Sequence, residues 1–177
     1  MTISPDAGLS KIDISRPVSP DHHFLLSHSA HFLALGFGSG LGPKAPGTYG
    51  TLVAIPLFML LMLAPELAHY LVITALFFIG IPLCGIAGRN LGASDHGSIV
   101  WDEIVAMLLV LEFTPHGWAW WAAAFVLFRL FDIWKPFPIR QFDARLKGGF
   151  GVMFDDLLAA LYAIASLKVL QCLMMNY

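Results

Sequence analysis

Long runs without a charged side chain organise this sequence, and its polar residues fall in the short stretches between them. No charge occurs between Lys44 and Glu66, and the apolar part, from about Tyr49 to Pro65, predicts a first spanning helix kinked at Pro56. Membrane helices tolerate such a proline when their neighbours satisfy the freed backbone groups. Leu67 to Gly88 is a second uncharged run, long enough for the roughly 20 residues a span requires. The third, Ile99 to Phe113, is short, has acids near both ends and is the weakest as an independent span. The fourth, Trp118 to about Ile133, starts with Trp118, Trp120 and Trp121, as an interfacial aromatic belt does. Pro136 and Pro138 stop it. A fifth covers about Met153 to Met174, and a further apolar segment, about His23 to Gly36, is too short to span and reads as re-entrant or interfacial.

Composition supports the same class. The chain is 58% hydrophobic and 12% charged, with a mean hydropathy of +0.74. Soluble domains run nearer 45–50% apolar and about 25% charged. The prediction is an all-α polytopic membrane helix bundle of about four to five transmembrane or membrane-embedded helices. It forms one domain, residues 23–177, after a polar tail, residues 1–22. That tail carries Asp6, Lys11, Asp13 and Arg16 among prolines and lacks the apolar core of a signal peptide, so it is expected to stay in the chain. Cys84 and Cys172 lie in apolar runs without metal-type spacing or a disulfide framework. The net charge of −2 gives no footing for nucleic acid.

Lys and Arg set orientation. With a cytoplasmic N-terminus, Lys11, Arg16, Lys44, Arg89, Lys135, Arg140, Arg145 and Lys147 all fall on the cytoplasmic side. The outer turns, around Glu66 and Thr114 to Gly117, contain none. The same arrangement brings four distant polar segments to one membrane face: Gly36–Gly50, Ala93–Glu103, Phe128–Pro138 and Gly148–Asp156. A one-sided site follows, and a transport path, which needs polar groups at every depth, is disfavoured.

Asp102 and Glu103 head the third helix, with Ser98 as its expected N-cap, and Asp155 and Asp156 stand in the equivalent place in the fifth. Helix dipoles alone would favour acids there, and that accounts well for one pair. Two acidic pairs on one face, with cations opposite, point instead to a bound cation, and hard oxygen ligands suit Mg²⁺. Arg129, Asp132 and Lys135 share a helix face at i, i+3 and i+6. Positive-inside anchoring with an internal Arg–Asp pair suffices for Lys135 alone; Arg129 lies deeper and needs an acid or a phosphate, and its fork suits phosphate bidentately. Arg140, Arg145 and Lys147 read as loop charges that meet anionic lipid headgroups.

"GFGSGLGPKAPGTYG" is not a Walker loop, since no Gly-Lys-Ser/Thr occurs, and its GxxxG pairs fit close helix packing. Beyond packing it offers Lys44, Thr48 and Thr51, with glycines that let backbone N–H groups approach an anion. His22, His23, His28 and His31 show no ligand geometry and read as interfacial. His96, near Asp95 and Asp102, is a minor acid–base candidate, and nothing assembles a triad with Ser94 or Ser98.

Three blocks in this order, "GFGSGLGPKAPGTYGTLVAIP", "DHGSIVWDEIV" and "FRLFDIWKPFPIRQFD" continuing into "GGFGVMFDDLLA", resemble the phosphatidylglycerophosphatase A family and cover most of Gly36 to Ala159. The chain departs from the family pattern at Ala106 and Ala160, where Gly is common, changes that bear on packing rather than chemistry. The resemblance implies Mg²⁺-dependent hydrolysis of phosphatidylglycerol phosphate to phosphatidylglycerol and inorganic phosphate, in phospholipid biosynthesis, at the cytoplasmic face of a bacterial inner membrane. On that reading Asp102 and Glu103, with Asp155 or Asp156, are the metal ligands, Asp95 or Asp132 orients water or a basic partner, and one acid of the set serves as general base. Asp102, Glu103, Asp156 and Asp95 form the catalytic set, and Lys44, Thr48, Arg129 and Lys135 bind the substrate phosphate. The partners are the lipid substrate and the bilayer. A small cation transporter or channel subunit, or a non-catalytic protein that binds anionic lipid, is the alternative.

Overall fold

The structure is a computed structural model that describes residues 19–175. The predicted polar tail, with Lys11 and Arg16, lies almost wholly outside the described residues. Within them the chain is helical and contains no strand. The helices are α1 (His22–Ser27), α2 (Ser29–Ala34), α3 (Pro46–Leu61), α4 (Glu66–Leu91), α5 (Trp101–Glu112), α6 (Trp118–Trp134), α7 (Ile139–Arg145) and α8 (Gly148–Met175), with a 3₁₀ segment at Gly36–Leu41. Two of them, α4 and α8, are long and apolar enough to cross a membrane, at 26 and 28 residues. At a rise of 1.5 Å per residue they reach roughly 40 Å, against about 30 Å of hydrocarbon.

Helix α5 explains why its segment looked weak as a span. It has 12 residues, about 18 Å of helix, and most of its side chains are buried. It packs against α3, α4, α6 and α8, so protein surrounds its apolar surface on all sides. Helices α3, α4, α5, α6 and α8 run alternately up and down. Phe58 near the end of α3 meets Trp121 near the start of α6, and His69 near the start of α4 meets Glu112 at the end of α5. Between the two ends the bundle is filled by Ala54, Met107, Leu108, Leu111, Ala124, Phe128, Ala159 and Ala163.

The helix bounds differ from the sequence reading at two glycine-rich starts. Helix α8 begins at Gly148, five residues before the expected Met153, although the added turn reads Gly-Gly-Phe-Gly. Packing overrides the poor helix propensity of glycine here: a methyl on Gly149 would overlap the Ile81 carbonyl of α4 and come within 2.7 Å of the Gly85 nitrogen. Helix α3 likewise begins at Pro46, where proline suits the first helical position, and Pro56 lies inside it as expected.

The His23–Gly36 segment forms the two short helices α1 and α2. Asp21 caps the first, and the His28 imidazole accepts from the Ala30 N–H at the start of the second. His31 is buried rather than interfacial. Its ring stacks on Phe24 at 4.0 Å, and its Nε2 pairs with the Asn90 side chain of α4 at 2.7 Å. That contact ties the segment to the bundle.

Candidate active site

Asp102 and Glu103 occupy the first turn of α5. The expected cap does not form: Ser98 stands outside the helix, whose N-cap is Val100, and no side chain caps it. The Val100 N–H donates instead to the Ala34 carbonyl at 2.9 Å, which docks the approach to α5 against the end of α2. Successive helical residues point about 100° apart, so the two acids diverge. Glu103 turns toward α6 and the start of α3, and Asp102 toward α4 and α8.

Asp156 of α8 closes the group. One carboxylate oxygen each from Asp102, Glu103 and Asp156 lies within 4.8 Å of the other two. Asp102 Oδ1, Glu103 Oε2 and Asp156 Oδ2 are buried and make no hydrogen bond. Burying one unpaired carboxylate is costly, and three at this separation repel one another. An all-oxygen, triply acidic set fits a small divalent cation that keeps part of its water shell. Asp155 stands outside the trio, with its Oδ2 accepting from Lys135 Nζ at 2.5 Å.

Cations line the same end of the bundle. Arg129 Nη1 lies 2.6 Å from Asp132 Oδ2 and 3.7 Å from Glu103 Oε1, and it donates to Thr51 Oγ1 at 3.5 Å. Its Nε is buried without a partner, so part of the fork is uncommitted. Lys135 ends α6 and also reaches Asp143 of α7 at 3.3 Å. Desolvation pushes its ammonium down, but the bond and charge of Asp155 and the charge of Asp143 outweigh this and hold it above the usual lysine range.

The start of α3 completes this end. Ala45 adopts a left-handed conformation (φ 49°), Pro46 follows, and Gly47 then sits against the ion pair. A methyl on Gly47 would overlap Glu103 Oε1 and lie 3.0 and 3.1 Å from Arg129 Nη1 and Nη2. The other glycines of the motif pack. A methyl on Gly40 would overlap the Ser98 carbonyl, and one on Gly36 would come within 2.6 Å of Val100. Lys44 is exposed, and Thr48 is half-buried with its N–H donating to the Ala45 carbonyl at 2.9 Å. Two contacts escaped the sequence reading, Gly47 and Asp143. Gly47 was present in the "APGT" signature, whereas Asp143 had no periodic relation to Lys135 that would have singled it out.

Asp95 is exposed on the loop after α4 and lies outside the trio. It lines a small crevice with Asp143 and Lys147. His96 Nδ1 accepts from the Ser98 N–H at 3.2 Å, and burial holds its imidazole below the usual range. At the opposite end of the bundle His69 Nδ1 faces Glu112 at 3.1 Å.

Over most of its length the chain is similar to known proteins. The family profile "Phosphatidylglycerophosphatase A" matches residues 32–171. A phosphatidylglycerophosphatase A of Haemophilus influenzae is 49% identical over 148 residues, 82% of this chain and 91% of the relative. That of Escherichia coli is 47% identical over 135 residues, 76% of this chain and 78% of the relative. No solved structure matches the chain.

Proposed function

The chain belongs to the phosphatidylglycerophosphatase A family, a family of phosphatases, and from that premise we propose that it hydrolyses phosphatidylglycerol phosphate to phosphatidylglycerol and inorganic phosphate, with Mg²⁺ at the Asp102–Glu103–Asp156 trio. The observation that carries this reading is the set of three buried, unpartnered carboxylate oxygens beside an Arg129 fork that is only partly used. In this reading the protein is a multi-pass component of the bacterial cytoplasmic membrane, with four to five embedded helices, a cytoplasmic N-terminus and a site that opens to the cytoplasm. The gathering of Lys44, Arg89, Lys135, Arg140, Arg145 and Lys147 toward the site end supports that orientation.

Asp102, Glu103 and Asp156 would hold the ion, and Asp155 keeps Lys135 in place. Bound there, Mg²⁺ supplies Lewis-acid polarisation of the phosphoryl group and a lowered pKa for adjacent water. Arg129 and Lys135 bind the phosphate oxygens, with the Thr48 hydroxyl alongside, and Lys44 draws the anionic headgroup in from the exposed loop. This matches what a loose phosphoryl-transfer transition state needs, which is positioning and charge neutralisation. Water attacks phosphorus in line as the bond to the glycerol oxygen breaks. Asp132, set between Arg129 and Asp156, accepts the water's proton and releases it to solvent, and the departing glycerol oxygen takes its proton from solvent water at the mouth of the site. Asp95, from the exposed loop, orients water at the mouth.

The test is phosphate release from phosphatidylglycerol phosphate by purified protein in detergent, with Mg²⁺, with EDTA, and with Glu103→Gln. Release that requires Mg²⁺ and collapses in the variant is expected. Release that survives both changes refutes the carboxylate–metal mechanism, and folded protein that releases none would favour a role in binding anionic lipid.

A further inference from the structure

A cavity of about 210 Å³ opens between α4, α5 and α8 on the far side of Asp102 from Arg129. Phe77, Val105, Leu109 and Leu157 wall it, and Asp102 is the one charged residue in its lining. Thr74 stands at its lipid side, on an exposed face of α4 that also presents Leu71 and Phe78. The slot is therefore apolar and opens toward the bilayer, and its inner end is a carboxylate of the trio.

We infer that this slot receives one acyl chain of the lipid whose phosphate is cleaved at the trio, and so fixes the headgroup against the carboxylates. The inference rests on the phosphatase reading above and adds a substrate subsite to it. Three features select an acyl chain of the substrate as occupant. The slot shares Asp102 with the trio, so a chain held in it lies along the helix that carries two of the three carboxylates. It follows α5 from Asp102 to Leu109, seven residues or about 10 Å of helix, which suits a flexible chain better than a compact ligand. If a methylene is given roughly the 30 Å³ share of a water molecule, the volume accepts about seven of them.

The physical gain is position rather than affinity. Lipid tails are as apolar as the slot, so transferring a chain from bilayer to slot carries little hydrophobic driving force. What the chain gains is contact with walls that otherwise face a void, and what the reaction gains is a headgroup with fewer orientations. A substrate without tails forgoes that restriction and reacts through headgroup contacts alone. Binding energy from a remote part of a substrate is used in this way to orient the reacting centre.

The test compares diacyl phosphatidylglycerol phosphate with its deacylated headgroup, both with Mg²⁺ in detergent, for the wild type and Thr74→Trp. An indole at position 74 fills the slot from its lipid side. The ratio of kcat/KM on the diacyl substrate to that on the headgroup is expected to fall at least tenfold. A ratio that stays constant, whether both rates fall or neither does, overturns the inference. A second measurement is independent of turnover: an anionic phospholipid with a diazirine midway along one chain is photolysed with the protein. Labelling concentrated at 73–77, 105–109 and 153–157, and lost in Thr74→Trp, supports the slot. Labelling spread over lipid-facing residues such as Leu60, Leu71 and Val126 overturns it. If the wild type releases no phosphate from either substrate, the phosphatase reading fails and the labelling still decides the slot.

Discussion

Gly47→Ala separates activity from stability. Gly47 lies in the first turn of α3, where alanine is the better helix former by about 0.5–1 kcal/mol. Against this, the new methyl overlaps Glu103 Oε1 and crowds the Arg129 fork at 3.0 and 3.1 Å. The atom that must yield is the far end of a flexible side chain, so Glu103 swings aside at small cost and the two effects nearly cancel in stability. The shift needed to clear the methyl is about 1 Å, and a misplacement of that size in a reacting constellation costs on the order of 10²-fold, or about 2.7 kcal/mol of barrier. Phosphate release from phosphatidylglycerol phosphate should therefore fall about 100-fold while the melting temperature moves by no more than about 4 °C. Gly50→Ala, one turn further along the same helix, is the control. Its methyl would meet Val100 Cβ at 2.7 Å and the Val100 carbonyl at 3.1 Å. A branched side chain on a fixed backbone cannot swing away, so that variant should lose about 1–3 kcal/mol of stability. A Gly47→Ala protein with kcat/KM within threefold of wild type would refute the claim that α3 is fitted against a working Glu103.

Mg²⁺ should raise the melting temperature of the wild type, with about 2.7 kcal/mol of stabilisation at a concentration 100-fold above Kd. Asp156→Asn should abolish that shift and, without metal, melt no lower than wild type because like charges are relieved; an unchanged Mg²⁺ response would remove Asp156 from the ligand set. Arg129→Lys keeps the charge but not the fork that spans Asp132 and Glu103, so kcat/KM should drop roughly 10–100-fold, the worth of about 1.5–3 kcal/mol for a charged hydrogen bond; full activity would reduce Arg129 to a membrane anchor. Lys135 has its pKa raised by Asp155 and Asp143 despite desolvation. Its stabilising contribution is fully present below the unfolded-state pKa near 10.5 and is lost only as pH rises through the higher folded value. Lys135→Met should thus still lose about 2 kcal/mol at pH 9, and a variant as stable as the wild type at that pH would contradict the pairing.

The residues by themselves determined the all-helical class, because uncharged runs of helical length leave the backbone no partner but itself in an apolar surround. They also determined the acids and cations of one face, since charge is so scarce here that its placement is conspicuous. Only the tertiary structure decided how those charges divide. Asp155 and Asp156 are neighbours in sequence, yet Asp156 joins the trio and Asp155 turns to Lys135, since successive positions on a helix face different partners. Lys44 and Asp95 look equivalent to Arg129 and Asp102 in a list of charges, but they sit exposed on loops while the others lie on packed helices. Gly47 and the start of α8 at Gly148 had the same origin: their roles come from the atoms across the interface, the Glu103 carboxylate and the Ile81 carbonyl. Distance along the chain carries no information about such contacts, which are set by how closely two helices approach.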